Sequence, residues 1–412
     1  MDLLSLLLYA SIAAGFLMAF SLGANDVANS MAPSVGARAI TVRQAVFIAA
    51  GLNFLGAVFF GSEVTDTICR GIVPPEAIGD PNLLAMGMFA ALLSAGLWVL
   101  LATFTGLPVS STHSIVGSIV GFGIVAGGFD VINWGNMGNI VLSWLISPFF
   151  GGLLAFLIFI HIRRFILLQN DPVGHANFWV PVWGALTLGL VVLSFLYKTP
   201  FGKKLHLPGY LSLGIAAGAM IALALLIRKV FIPRVGSGLN SSRAIEKMFQ
   251  KLQIATACYV AISQGANDVA NAVGPVASIY AMYQNNAGLG GPTALPTWLL
   301  GMGGVGIACG IALLGYKVIA TLGQSLTKLT NTRGFAVAFG AATTVLLASH
   351  LGMPVSTSHA AVGAIVGVGV ARGFKAVDFR VLSKIVLYWV LTVPITAFTC
   401  IVIYELLRFV VY

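Results

Sequence analysis

Residues 21–33 read SLGANDVANSMAP and residues 263–275 read SQGANDVANAVGP, identical at nine of thirteen positions. A second pair follows: residues 106–123, GLPVSSTHSIVGSIVGFG, match residues 352–369, GMPVSTSHAAVGAIVGVG, at eleven of eighteen. The motifs recur in the same order at nearly the same separation, 84 residues from Asp26 to Ser110 and 88 from Asp268 to Ser356. Repetition of this kind marks a duplicated unit, and the rest of the chain is read around it.

Composition says where that unit resides. The 412 residues are 58% hydrophobic and only 8% charged, with a mean hydropathy of +0.97, whereas a soluble domain carries about 25% charged residues. Apolar runs at 3–22, 44–62, 83–105, 137–160, 179–197, 209–228, 251–263, 298–314, 335–349 and 382–407 approach the roughly 20 helical residues that cross a bilayer. Two more, 108–126 and 354–371, are Gly-rich and open on Ser/Thr clusters. No barrel-like alternation is present, and helices satisfy their own backbone in lipid. The expected fold is an all-α integral membrane protein with about 12 transmembrane or re-entrant segments in two inverted repeats. The opening MDLLSLLLYA lacks a basic flank, so it reads as a retained first helix.

The expected organisation is a first repeat at 1–165, linking helices and a basic loop at 166–250, and a second repeat at 251–412. The net charge of +10 would suggest nucleic acid in a soluble chain, but its placement points elsewhere. Arg163, Arg164, Arg228, Lys229, Arg234, Arg243, Lys247 and Lys251 gather around two loops, which the positive-inside rule assigns to the cytoplasm. Lys198, Lys203 and Lys204 lie between those loops, on what must then be the outer side, against the rule. With both basic loops inside, the first repeat starts outside and ends inside, and the second does the reverse. Such inverted repeats place a substrate site at their interface near the midplane. Whether 108–126 and 354–371 span or re-enter is open at this level. The four cysteines are widely spaced and read as small apolar fillers.

In GANDVAN, Asn25, Asp26 and Asn29, matched by Asn267, Asp268 and Asn271, supply oxygen ligands of the kind hard cations take. Gly23 and Gly265 are expected to permit an unwound turn that frees carbonyls for the same ion. Capping of a helix by Asp26 or Asn25 is the plainer alternative, but two copies of an intramembrane carboxylate favour function. Pro108 and Pro354 interrupt apolar runs, after which Ser110, Ser111, Thr112 and Ser356, Thr357, Ser358 open new helices. A helix N-terminus with free N–H groups and three hydroxyls suits a tetrahedral oxyanion. His113 and His359 read as hydrogen-bonding groups that orient the loops, with proton carriage the alternative. Gln264 replaces Leu22 in the motif and adds one polar contact to one side only. Glu63 and Asp66 read as interfacial. No nucleotide loop, nucleophile–base pair or metal-ligand set is present, so neither ATP-driven transport nor an enzyme is expected.

These four motifs in duplicated register resemble the signatures of the inorganic phosphate transporter family, which includes sodium- and proton-coupled phosphate permeases and some sulfate permeases. The resemblance covers both ends of the chain. It implies phosphate held by Ser110, Ser111, Thr112, Ser356, Thr357 and Ser358, with Asp26 and Asp268 beside it; Gln264, from the asymmetry of the motifs, is added to that set. It also implies cations held by Asn25, Asp26, Asn29, Asn267, Asp268 and Asn271, and the oxygen-only ligands without Lys or Arg favour sodium before protons. A multi-pass plasma-membrane symporter without a cofactor, surrounded by lipid and paired as a homodimer, is what such a resemblance leads one to expect. An anion channel, the chief alternative of another class, prefers basic rings, and neither motif contains Lys or Arg.

Overall fold

The computed structural model describes residues 2–61, 71–198, 202, 205–231, 241–285, 295–319, 326–350 and 355–411. Glu63, Asp66, Cys69, Lys203, Lys204, Arg234 and Pro354 lie outside the described residues. Among the described residues, twelve helices of sixteen residues or more carry the architecture. They are α1 (Leu3–Gly36), α2 (Val42–Phe60), α3 (Pro81–Phe104), α4 (Ser111–Gly127), α5 (Trp134–Ile162), α6 (Pro172–Lys198), α7 (Gly209–Leu226), α8 (Ser241–Gln284), α9 (Thr297–Leu314), α10 (Asn331–His350), α11 (Thr357–Arg372) and α12 (Phe379–Val411). Among the described residues there is no strand.

Local chemistry fixes several starts. Thr41 and Gln44 form a capping box at α2: the Gln44 amide donates to Thr41 Oγ1 at 3.3 Å and the Thr41 amide donates to Gln44 Oε1 at 2.9 Å. Asp80 caps α3 by accepting from the Asn82 and Leu83 amides. Outward faces carry large apolar groups such as Phe149, Phe398, Phe409 and Leu213, and α7 buries only Ser212 and Ala216. In water such a surface would aggregate. Against hydrocarbon it is the natural exterior.

The two halves are interleaved. α9 runs parallel to α1: a Cβ on Gly306 would meet Phe16 and Ala19, one on Gly310 would overlap Phe20, and one on Gly315 would meet Val27. α2 runs parallel to α8 in the same manner, with Gly56 against Ile262 and Gly61 against Val269. Yet α9 is antiparallel to α2, since Gly304 faces Phe54 and Ala57 while Gly61 reaches Leu300. Corresponding helices therefore point in opposite directions, which is the inverted arrangement.

α3 does not cross, although its 24 residues would suffice. Thr103, near its end, is hydrogen-bonded to Asn25, and the neighbouring Gly23 lies against Ile307, in the middle of α9. α3 thus stops at mid-depth, turns through 105–110, and returns as α4, whose Phe122 ring packs on Gly87. α10 and α11 form the inverse hairpin. Arg372 at the end of α11 donates to Thr327, just ahead of α10, at 3.0 Å. The run 108–126 and the described part of the other, 355–371, re-enter. The runs 83–105 and 335–349, candidates for spanning by length, are each one arm of a hairpin. The parity of crossings is unchanged, because a hairpin returns the chain to the side it left.

Candidate functional site

α1 and α8 continue unbroken through the GANDVAN motifs. The expected unwinding at Gly23 and Gly265 does not occur, and Asp26 caps nothing, because it stands well inside a helix. The glycines serve a different need. A Cβ at Gly23 would overlap the Ile307 carbonyl, and one at Gly265 the Asn53 carbonyl. They let α9 and α2 press against the two motif helices at the level of the site.

Four asparagines then divide the work in two symmetric pairs. Asn25 holds its own repeat's tip: its Nδ2 donates to Leu107 O at 3.0 Å and Thr103 Oγ1 at 3.1 Å, while its Oδ1 accepts from the Val109 amide at 3.1 Å. Asn267 does likewise, donating to Val355 O at 3.0 Å. Asn29 reaches across to the other tip, donating to Ser358 Oγ at 2.9 Å and Thr357 Oγ1 at 3.4 Å. Asn271 crosses in return to Thr112 Oγ1 at 3.3 Å.

The tips meet each other as well. Ser358 donates to Val109 O at 3.1 Å, and Thr112 donates to Val355 O at 3.4 Å. Ser110 and Ser356 are N-caps of α4 and α11, accepting from the His113 and His359 amides at 3.2 Å each. Their hydroxyl protons remain available to donate. Asp26 accepts from Ser111 at 2.6 Å and, as the alternative to Val109 O for the one hydroxyl proton, from Ser358 at 3.3 Å. Asp268 accepts from Thr357 at 3.2 Å and Asn267 at 2.9 Å.

Both carboxylates are 1% exposed, and among the described residues neither has an ion-pair partner. Burying two carboxylates without a cation is expensive. Two further acceptors share this environment without a donor among the described residues: Asn29 Oδ1 and Gln264 Oε1. Gln264 lies one turn before Asp268 on the same face of α8 and is 3% exposed. The site therefore has a surplus of oxygen acceptors beside a row of hydroxyl donors. It is built for an anion and for something positive.

The motifs pointed to Ser110, Ser111, Thr112, Ser356, Thr357, Ser358, Asp26, Asp268 and the asparagines, and the fold brings all of them together. Sequence reasoning missed Thr103, the Val109 and Val355 carbonyls, and a buried aromatic layer beneath the tips. In that layer His113 packs on Trp144 and His359 on Trp389 as tilted rings, each pair with centroids 3.8 Å apart. The matched stretches SWLISP at 143–148 and YWVLTVP at 388–394 were the available signal.

The chain matches the family model described as "Phosphate transporter family" over residues 22–400. It is 48% identical over 394 residues to a Pyrococcus abyssi protein that bears the name "Putative phosphate permease", covering 95% of this chain and 96% of the relative. It is 39% identical over 428 residues to "Inorganic phosphate transporter 2-1, chloroplastic" of Arabidopsis thaliana, covering 97% of this chain and 72% of the relative. A solved structure described as "The sodium-dependent phosphate transporter" superposes with a TM-score of 0.92 at 43% identity, covering 98% of this chain and all of that one. A multi-pass membrane fold, a duplicated polar site and matches along almost the whole length agree: this chain is a member of the phosphate transporter family and not an enzyme.

Proposed function

We propose that the protein imports inorganic phosphate together with sodium ions, by alternating access around the site between the two tips. The observation that carries this reading is the acceptor surplus among the described residues: Asp26 and Asp268 buried without a basic partner there, beside Asn29 Oδ1 and Gln264 Oε1, which have no donor there. Phosphate would be held by the hydroxyls of Ser110, Ser111, Thr112, Ser356, Thr357 and Ser358 and by the N-termini of α4 and α11. Sodium would be held by the oxygens of Asp26, Asp268, Asn29 and Asn271, with Asn25 and Asn267 contributing mainly by fixing the tips. The relative whose printed title is sodium-dependent supports the choice of ion.

The geometry supplies a reason for coupling. Ser111 donates to Asp26, and Thr357 to Asp268. A phosphate that recruits those hydroxyls takes a donor from each carboxylate, and a sodium ion restores the balance. Each ligand thus binds more tightly when the other is present, as linkage requires. Residues 1–165 and 251–412 would be the two moving halves, with 166–250 a linker that packs α6 along α8.

The test is uptake of labelled phosphate into liposomes containing the purified protein. An inward sodium gradient is expected to drive accumulation, and a potassium gradient is not. Equal uptake in sodium-free buffer under an imposed pH gradient would make protons the coupling ion.

A further inference from the structure

Beneath the tips, each histidine is bound to the opposite repeat. His113 donates from Nδ1 to the Trp389 carbonyl at 3.2 Å, and His359 donates from Nδ1 to the Trp144 carbonyl at 3.0 Å. A carbonyl can only accept, so Nδ1 carries the proton in both rings. The rings also touch one another, with centroids 4.5 Å apart. They are 5% and 4% exposed.

An α-helix normally uses its own carbonyls, so each acceptor needs an explanation. Trp144 O would bond the amide of residue 148, but that residue is Pro148, which has no N–H. His359 occupies the acceptor that the proline leaves. On the other side Pro394 stands five residues after Trp389, so the carbonyl it strips is that of Val390, and His113 takes the adjacent one. The two prolines are therefore nearly, but not fully, symmetric in their placement.

We propose that His113 and His359 are positioning residues that latch each Ser/Thr tip to the last helix of the opposite repeat, making the two tips one rigid anion cradle. Each histidine lies two turns or less from the hydroxyls on its own helix. Its anchor stands on α12 or α5, which belongs to the other half. Displacing one tip therefore pulls on the helix that closes the other, and the imidazole contact carries the strain between them. The inference rests on the phosphate reading for its kinetic readout, but its structural readout is independent.

Ala, Asn and Gln are placed at each position, together with Pro148→Ala and Pro394→Ala. Asn puts an N–H where Nδ1 was, and Gln does not. His113→Ala and His359→Ala are expected to raise the KM for phosphate about tenfold, as misplacement of binding groups does. His113→Asn and His359→Asn should recover most of that loss, and the Gln variants should not. The double Ala variant should lose little beyond either single one, because the latches act as a unit. Pro148→Ala gives α5 an N–H that competes for Trp144 O, and should raise KM in the same direction without loss of fold. Pro394→Ala adds a donor for Val390 O only, and should resemble the parent.

Hydrogen exchange of the tip amides around residues 109–114 and 355–360 gives the second readout. Faster exchange in the Ala variants, restored in the Asn variants, is expected whether or not phosphate is the substrate. Parent-like exchange and KM in the Ala variants, or Asn no better than Ala, would overturn the latch. Absence of saturable phosphate uptake in the parent would instead overturn the phosphate reading, and exchange would still judge the latch.

Discussion

At Asn25 and Asp26, adjacent in sequence, the structure separates two kinds of work. Asn25 spends its oxygen on the Val109 amide and its nitrogen on Leu107 and Thr103. Removing it leaves buried partners unpaired, at about 1–3 kcal/mol per group. Asn25→Ala is therefore expected to lower thermal stability clearly, measured by melting of the purified protein. Asp26→Asn keeps the shape, and its amide oxygen can still accept from Ser111. It should melt near the parent while losing sodium dependence. It should also narrow the preference for phosphate over sulfate. A carboxylate can accept a proton that phosphate retains near neutrality, yet it only repels sulfate, and sites built around such a bond reject analogues by up to about 10⁴-fold. Competition of sulfate against labelled phosphate, parent against Asp26→Asn, checks it; equal competition in the parent would remove the argument. The sequence located the polar cluster, but its types and spacing carried no information on which asparagine clamps its own tip and which crosses. That depends on partners 78 or more residues away.

At the scale of elements, the glycines matter through packing rather than through flexibility. α1 and α9 approach so closely at Gly310 that a Cβ would overlap the Phe20 carbonyl. Gly310→Val must push the helices apart, with overpacking costs of about 1–3 kcal/mol or more, and the displacement bears on α1 about one turn before Asn25. The expected result is lower folded yield, a lower melting temperature and weaker phosphate uptake. Gly138→Ala, where nothing lies within 4 Å of the added atom, is the matched control and should be neutral or slightly stabilising. From sequence, a glycine before a polar motif reads equally well as a hinge or as a close approach. Which of these holds depends on the neighbour, and here the neighbours are Ile307 and Asn53, from the other repeat.

For the molecule as a whole, the decisive arrangement is the pair of hairpins inserted from opposite sides. If α3 and α4 re-enter, the loop at Phe129–Val131 lies on the outer face with the N-terminus, and the loop at Phe374–Ala376 lies on the inner face. In a background lacking Cys69, Cys258, Cys309 and Cys400, Asp130→Cys should react with an impermeant maleimide added outside. Lys375→Cys should react only after the membrane is opened. Labelling of Asp130→Cys from the inside alone would mean that α3 and α4 together make one net crossing instead of returning as a hairpin, and the proposed meeting of the tips would fail with it.

The sequence by itself determined the medium, the duplication, the inverted orientation and the identity of most polar residues that the fold gathers between the two tips. Those follow from apolar run length, from internal identity and from the placement of Arg and Lys, all of which are local or linear properties of the chain. Only the tertiary structure decided that the motif helices stay wound and that α3 and α10 stop halfway. It alone showed that Pro148 hands a carbonyl to His359. Run length cannot distinguish a helix that crosses from one that turns back, because both must be apolar over the same number of residues. A carbonyl stripped by proline has no sequence mark for its new donor, which lies 215 residues away and reaches it only when the repeats interleave.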